Sequence, residues 1–319
     1  MRRYPELNSL PPAEAPDVMF GKMFGAIAAP DRLPDLVAIA LGWHPDLVVA
    51  DAADFAGHIV AAEIGVPGVT KAFGAPLPER RMAAAGEEVA PLWRSRGLEP
   101  RPYGGAYDHL YLDIYPPGLQ VPAATHVQRR QLLRPVIYDG QLDDSMPVPL
   151  PSGSAGTPLV YVTMGTVFND PGPLKVAVDA LADARVLVTV GPRADPATLG
   201  PRSSSVRVER YVPQTLALPL CDLVISHGGS GTVLAAFGHG LPQVCLPQGA
   251  DQFLNAAAVA SAGAGISIMP SEATAETVGE AVIRLLGDQS FGEAARRIRD
   301  SIASMPSPHD VATLLETLP

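Results

Sequence analysis

Short apolar runs, cut off by Gly, Pro and Asp, alternate along this chain with stretches whose apolar residues recur at helical spacing. In the first half, residues 45–51 read as a strand with a polar end, 57–64 as an amphipathic helix and 65–69 as the next strand. Residues 80–96 are helical with an Arg/Glu-decorated face, 109–114 alternate like a strand up to Pro116-Pro117, and 132–138 predict another strand. Ahead of these, residues 1–34 read as loop with one short helix over 18–27, and 36–41 as a second helical piece. Residues 139–157 are rich in Pro, Gly, Ser and Asp without any period, so the domain linker is placed there, over 141–157. Beyond it, strands at 159–162, 185–190, 223–225, 243–246 and 265–268 alternate with helices at 174–181, from Thr232 onward, and at 275–286. The tail 292–318 is helical, broken at Met305-Pro306-Ser307-Pro308. Strand–helix alternation implies parallel sheets, hence an α/β fold of two doubly wound domains. The first spans 1–140, the second 158–290, and 291–319 form the tail. No period of about 20–50 residues repeats.

Residues 222–258 carry the densest chemistry. An apolar strand runs into His227-Gly228-Gly229-Ser230-Gly231-Thr232, and an Ala-rich helix follows. The first N–H groups of a helix lack internal partners, and the macrodipole favours negative charge there. Glycines let the backbone come close to a phosphate, and His227 can donate to the same oxygens. The next strand ends in Pro247-Gln248-Gly249-Ala250-Asp251-Gln252, which parallel pairing would bring to the same sheet edge. An acid beside an amide suits sugar hydroxyls. Thr163-Met164-Gly165-Thr166 offers a second phosphate cradle. Other motifs fail: no Lys completes a Walker loop, Leu234 replaces the third Gly of a dinucleotide fingerprint, and Thr232 replaces the last Gly of a nucleophile elbow. If the glycines only made a tight turn, the Asp251-Gln252 loop would be unexplained.

In order and spacing this stretch resembles the donor-binding segment of family 1 glycosyltransferases of the GT-B fold, especially the bacterial natural-product and macrolide-type enzymes. The resemblance implies two Rossmann-like domains facing across a cleft. It implies that His227, Gly229, Ser230, Gly231 and Thr232 hold the diphosphate of a nucleotide sugar, and that Asp251 and Gln252 hold the sugar. A Ser/Thr-x-Gly-Ser/Thr turn stands in the family where Gly165 and Thr166 stand here. Tyr211-Val212-Pro213-Gln214 resembles the base-binding corner, so Tyr211, Val212 and Gln214 are candidates. The usual stacking residue there is Trp; Tyr211 offers less area, which leaves base preference open. Tyr211 capping the domain edge is the alternative.

The family's first domain begins with a strand, a Gly-rich turn carrying the His that serves as general base, and two more strand–helix units. This chain reads as entering in the middle of that domain, so the domain is expected to be incomplete, with apolar sheet edges open. The acid that orients the base falls at the end of the strand matching 47–51, which makes Asp51 the candidate catalytic residue. His44 and His58 do not fit the motif and read as surface or helix-face residues. The family's tail packs back on the first domain.

Composition narrows the partners. The 319 residues carry net charge −10, with no basic run longer than a pair, so nucleic acid and anionic membrane are poor partners. No apolar run approaches membrane-spanning length and no signal-peptide core follows Met1, so a cytoplasmic location is expected. Cys221 and Cys245 lie in apolar strand contexts and read as buried thiols, without zinc spacing. Asp143-Asp144 reads as a solvated acidic loop rather than a metal site.

The expected function is transfer of a hexose or deoxyhexose from a UDP- or dTDP-sugar to a hydroxyl of a small acceptor. The nucleotide sugar is a co-substrate; no metal and no other cofactor is expected. Inversion is expected, and a homodimer is compatible with the chain. A nucleotide-sugar-binding remnant with impaired catalysis, or a partner-completed subunit, is the second reading. A serine hydrolase using Ser230 and His227 is disfavoured because the two are too close in sequence to pair.

Overall fold

The computed structural model describes residues 15–119, 124–138, 140, 147–154, 156–166, 171–181 and 184–318. Two compact units emerge. One comprises Met1–Tyr115, Pro122–Leu133 and Pro306–Pro319; the other comprises Pro116–Val121 and Arg134–Met305. Asp143-Asp144 and the rest of 141–146, the start of the expected linker, lie outside the described residues.

The first unit holds a parallel sheet in the order β1 (Val48–Asp51), β2 (Gly68–Lys71), β3 (Leu110–Asp113), β4 (Arg130–Leu132). β4 is displaced from the expected 132–138. Leu133 still donates to Asp113 O at 2.9 Å, but Pro135 has no N–H with which to extend the ladder. The N-terminal half is more helical than its pattern suggests. Helix α1 (Ala15–Phe20), a π-helical stretch (Gly21–Ala28) and α2 (Ala29–Trp43) follow without a break. The wider π turn shifts the apolar face off helical period, and Pro30 and Pro34 read as breakers, so sequence shows only fragments. A Cβ at Gly25 would come 3.1 Å from Ala85 O, so the π stretch packs closely on α4 (Glu79–Ser95).

Helix α3 (Phe55–Ile64) corrects two expectations. It is not amphipathic: every side chain from Phe55 to Ala61 is buried. His58 is therefore neither a surface nor a helix-face residue but lies 4% exposed. Phe20, Phe55, Ile59, Met82, Val89 and Trp93 build the surrounding core. His44 is exposed and ends α2 in a left-handed conformation. At the sheet's β1 edge Val49 is half exposed, and nearby in sequence Trp43 is 74% exposed.

The second unit holds six parallel strands: β5 (Leu159–Thr163), β6 (Arg185–Thr189), β7 (Val206–Glu209), β8 (Leu223–Ser226), β9 (Gln243–Cys245) and β10 (Gly265–Ser267). Their spatial order is β10-β9-β8-β5-β6-β7. The chain winds outward from β5 to one side, then returns to β8 and winds to the other. The junction of β5 and β8 is thus the topological switch point, where such sheets bind ligands. Buried apolar residues fill both faces, as a parallel sheet covered on two sides requires. Its helices are α5 (Pro171–Asp179), α6 (Gln214–Ala217), α7 (Ser230–Gly238), α8 (Gln252–Ser261), α9 (Ala275–Gly287) and α10 (Gln289–Ser304).

The tail breaks at Met305–Ser307, where Pro306 cannot continue α10. Ser307 and Asp310 then form a capping box for α11 (Pro308–Leu315). The two halves part company: α10 belongs to the second unit, whereas α11 places Val311 against Val69 and Leu112 of the first. Cys221 and Cys245 are free and buried, and burial pushes both thiols up to about 12.

Candidate active site

Thr163 at the end of β5 lies in register with Ser226 at the end of β8. The turns that follow both strands therefore open at one sheet edge. Between them is a cavity of about 320 Å³, within the size class of ligand pockets. Of the sequence candidates it brings together Gly165, Thr166, Tyr211, Val212, Gln214, His227, Gly229, Ser230, Gly231 and Thr232.

The phosphate-like end is built by α7. Gly229 is its N-cap, extended at φ −65° and ψ 139°, and no side chain caps the helix. The amides of Ser230, Gly231 and Thr232 are thus left for whatever occupies the cavity. The helix starts at Ser230, two residues before the expected Thr232.

His227 packs over this turn. A Cβ at Gly229 would sit 2.6 Å from His227 Nε2, so only glycine lets ring and backbone approach this closely. Burial holds the imidazole below its ordinary pKa, with the nearby Asp251 charge opposing more weakly. At neutral pH the ring is therefore uncharged, offering one N–H and one lone pair. Its Nδ1 is buried with no partner among the described residues.

At the other end Tyr211 is 55% exposed, an aromatic face open to solvent. Val212 lines the cavity, yet its side chain is buried in the core with Leu159 and Tyr161. Only its backbone can address a ligand. Gln214 donates from Nε2 to Thr232 Oγ1 at 3.4 Å, tying the base-side corner to the start of α7. Beneath, Tyr161 and Thr189 share a 2.8 Å hydrogen bond, and burial raises the Tyr161 pKa.

Asp251 and Gln252 have separate duties. Asp251 Oδ2 accepts from Ser230 Oγ at 2.6 Å and from Asn255 Nδ2 at 2.9 Å. Gln252 is 2% exposed, and its Oε1 accepts from the amides of Gln248 and Gly249 at 2.7 and 3.0 Å. The pair does not point one way: the glutamine amide oxygen braces its own loop.

Asp51 stands in the other unit, at the C-terminal end of β1. It is exposed, and its Oδ1 accepts from Ala53 N at 3.0 Å in a local turn. Among the described residues no histidine bonds to it. Among the described residues, too, no group of three or more His, Cys, Asp or Glu is placed to hold a metal ion, and no helix is long and apolar enough to cross a membrane.

Two residues escape the sequence reading. Arg210 lines the cavity with a cation next to Tyr211. Asn255 is fully buried, and its place four residues after Asp251 on a helix is the spacing that puts the two side by side.

Comparison with known proteins fits this construction. Residues 175–318 match the family model "Erythromycin biosynthesis protein CIII-like, C-terminal domain", and 19–140 match the corresponding N-terminal domain. The elloramycin glycosyltransferase ElmGT of Streptomyces olivaceus is 36% identical over 284 residues, 86% of this chain and 69% of that protein. The chain belongs to the bacterial natural-product glycosyltransferases of family 1. The aclacinomycin-T 2-deoxy-L-fucose transferase of Streptomyces galilaeus is another relative, 30% identical over 91% of this chain and 70% of that one. The GT-B fold follows from solved structures. Spinosyn rhamnosyltransferase SpnG complexed with thymidine diphosphate superposes with a TM-score of 0.83 at 29% identity, covering 97% of this glycosyltransferase-family chain and 83% of SpnG.

Proposed function

We propose that this chain transfers a hexose or deoxyhexose from a UDP- or dTDP-sugar to a hydroxyl of a small natural product, with inversion and without a metal ion. The observation that carries the reading is the uncapped start of α7 beneath His227, in one cavity with Thr166 and the exposed ring of Tyr211. The acceptor oxygen attacks the anomeric carbon as the bond to the diphosphate oxygen breaks, and the acceptor proton passes to a base. Charge grows on the departing diphosphate. The amides of α7, the His227 N–H, the Thr166 hydroxyl and Arg210 meet it with donors fixed in place beforehand. Asp251 addresses the sugar, and Tyr211 stacks on the base.

One observation favours the second reading, donor binding with impaired transfer: Asp51 is exposed and tied to a local turn, and among the described residues no histidine bonds to it. General-base catalysis contributes roughly 10²–10⁴ in rate. The test is to incubate the protein with UDP- and dTDP-hexoses and a panel of hydroxylated natural products, following both glycoside and released diphosphate. Turnover on the order of 1 s⁻¹ or faster, lost in Asp51→Asn, supports full transferase function with Asp51 as base. Donor binding with only slow turnover, unchanged in Asp51→Asn, supports the impaired reading. Absence of binding to any nucleoside diphosphate overturns both.

A further inference from the structure

One buried side chain fastens three separate points of the donor site. Asn255, fully buried in the first turn of α8, directs Nδ2 to Gly228 O at 2.9 Å, Ser230 Oγ at 3.0 Å and Asp251 Oδ2 at 2.9 Å. Its two hydrogens are shared among these three acceptors. Ser230 spends its hydroxyl hydrogen on the same Asp251 Oδ2 at 2.6 Å, so its oxygen lone pairs are what Asn255 meets. Gly228 belongs to the turn after β8, Ser230 opens α7, and Asp251 ends the loop after β9. The network therefore joins the turn assigned to the diphosphate with the loop assigned to the sugar.

Resting on the transferase reading, we propose that Asn255 is the positioning residue that sets the spacing between diphosphate and sugar, with Ser230 as its relay. Asn255 touches no substrate; it acts through Asp251. Held by two donors on Oδ2, Asp251 has a fixed direction and turns Oδ1 to the donor sugar. Gln252 complements this as a brace of residues 248–249, where its Oε1 is committed, so the loop meets the sugar chiefly through one carboxylate oxygen. A buried network with its members satisfied rigidifies a site more than isolated pairs do.

The test is calorimetry on the full chain with bare dTDP or UDP and with the corresponding nucleotide hexose. Wild type, Asn255→Ala, Asp251→Ala and the double variant are compared. Wild-type binding of bare diphosphate secures the underlying reading; no binding removes that reading and this proposal together. Asn255→Ala is expected to leave bare diphosphate affinity within about threefold while weakening nucleotide hexose about tenfold or more. In the Asp251→Ala background the same change is expected to add nothing, because the carboxylate it positions is gone. Asn255→Ser, which keeps one donor, should recover part of the loss. Should Asn255→Ala fail to fold, Ser230→Ala replaces it in the same cycle with the same expected non-additivity. Equal weakening of both ligands, or additive losses in the double variant, would reduce Asn255 to general support of the fold and overturn the proposal.

Discussion

The imidazole of His227 lies so close to Gly165 that a Cβ built on the glycine falls 2.7 Å from Nε2 and Cε1. Gly165 also has φ +74°, a left-handed backbone that L side chains rarely adopt. These two constraints meet at the switch point, and they make Gly165→Ala a sharp probe. The ring must move or the β5 turn must open, and either change separates His227 from Thr166. The expected outcome is at least a tenfold loss of dTDP or UDP affinity by calorimetry, about 1.4 kcal/mol. Thermal stability should fall by about 1–3 kcal/mol from the strained backbone. Unchanged diphosphate affinity would show that ring and turn do not act together.

His227→Ala separates phosphate recognition from base recognition. A hydrogen bond to a charged group contributes about 1.5–3 kcal/mol, so diphosphate affinity should fall by that amount. Thymidine or uridine, which lack the phosphates, should bind the variant as they bind wild type. Equal losses for nucleoside and nucleoside diphosphate would move His227 away from the phosphates.

Tyr211 presents more than half of its surface to solvent at the base-side corner. Base–aromatic stacking is worth about 1–3 kcal/mol by alanine substitution, so Tyr211→Ala should cost roughly that for nucleoside and nucleoside diphosphate alike. Tyr211→Trp should strengthen both, because the larger ring covers more of the base. A titration that leaves Tyr211→Ala unaffected would make Tyr211 a cap on the domain edge.

What could be read in the sequence was whatever rests on local pattern. The buried strands Leu159–Thr163 and Leu223–Ser226 show as unbroken apolar runs, and the turn at His227 shows through its glycines. The break of the tail shows through Pro306 and Pro308. What escaped depends on helix phase and tertiary packing. Asp251 and Gln252 are adjacent in sequence, but α8 begins between them, so their side chains leave in different directions. The π-helical turn at Gly21–Ala28 hid the helix around it by shifting its face. Val212 carries no mark separating a backbone contact from a core side chain. His58 looked solvent-facing only because two polar residues, His58 and Glu63, in an otherwise apolar helix set no pattern that tells the buried one from the other.

His58 yields a stability test with a defined direction. Its Nε2 lies 3.0 Å from Thr70 Oγ1, and Thr70 donates its own hydrogen to Ala106 O at 2.5 Å. Nε2 must therefore be the donor, which fixes the neutral tautomer and leaves Nδ1 a buried lone pair without a partner among the described residues. Burial, aided by the charge of His109, pulls the pKa from 6.5 down to about 4. The unfolded chain takes up a proton near pH 6.5, whereas the folded chain resists until about pH 4. Stability linked to His58 is thus fully present above about pH 6.5 and drains away as pH falls toward 4. Over the whole window the loss is about 3 kcal/mol as an upper figure. Both tryptophans, Trp43 and Trp93, lie in the unit that holds His58, so their fluorescence during urea unfolding reports that unit alone. Between pH 7 and 4.5 wild type should lose more stability than His58→Gln, whose amide can still donate to Thr70 but does not titrate. Parallel losses in the two proteins would show that His58 becomes protonated in the folded state at an ordinary pH.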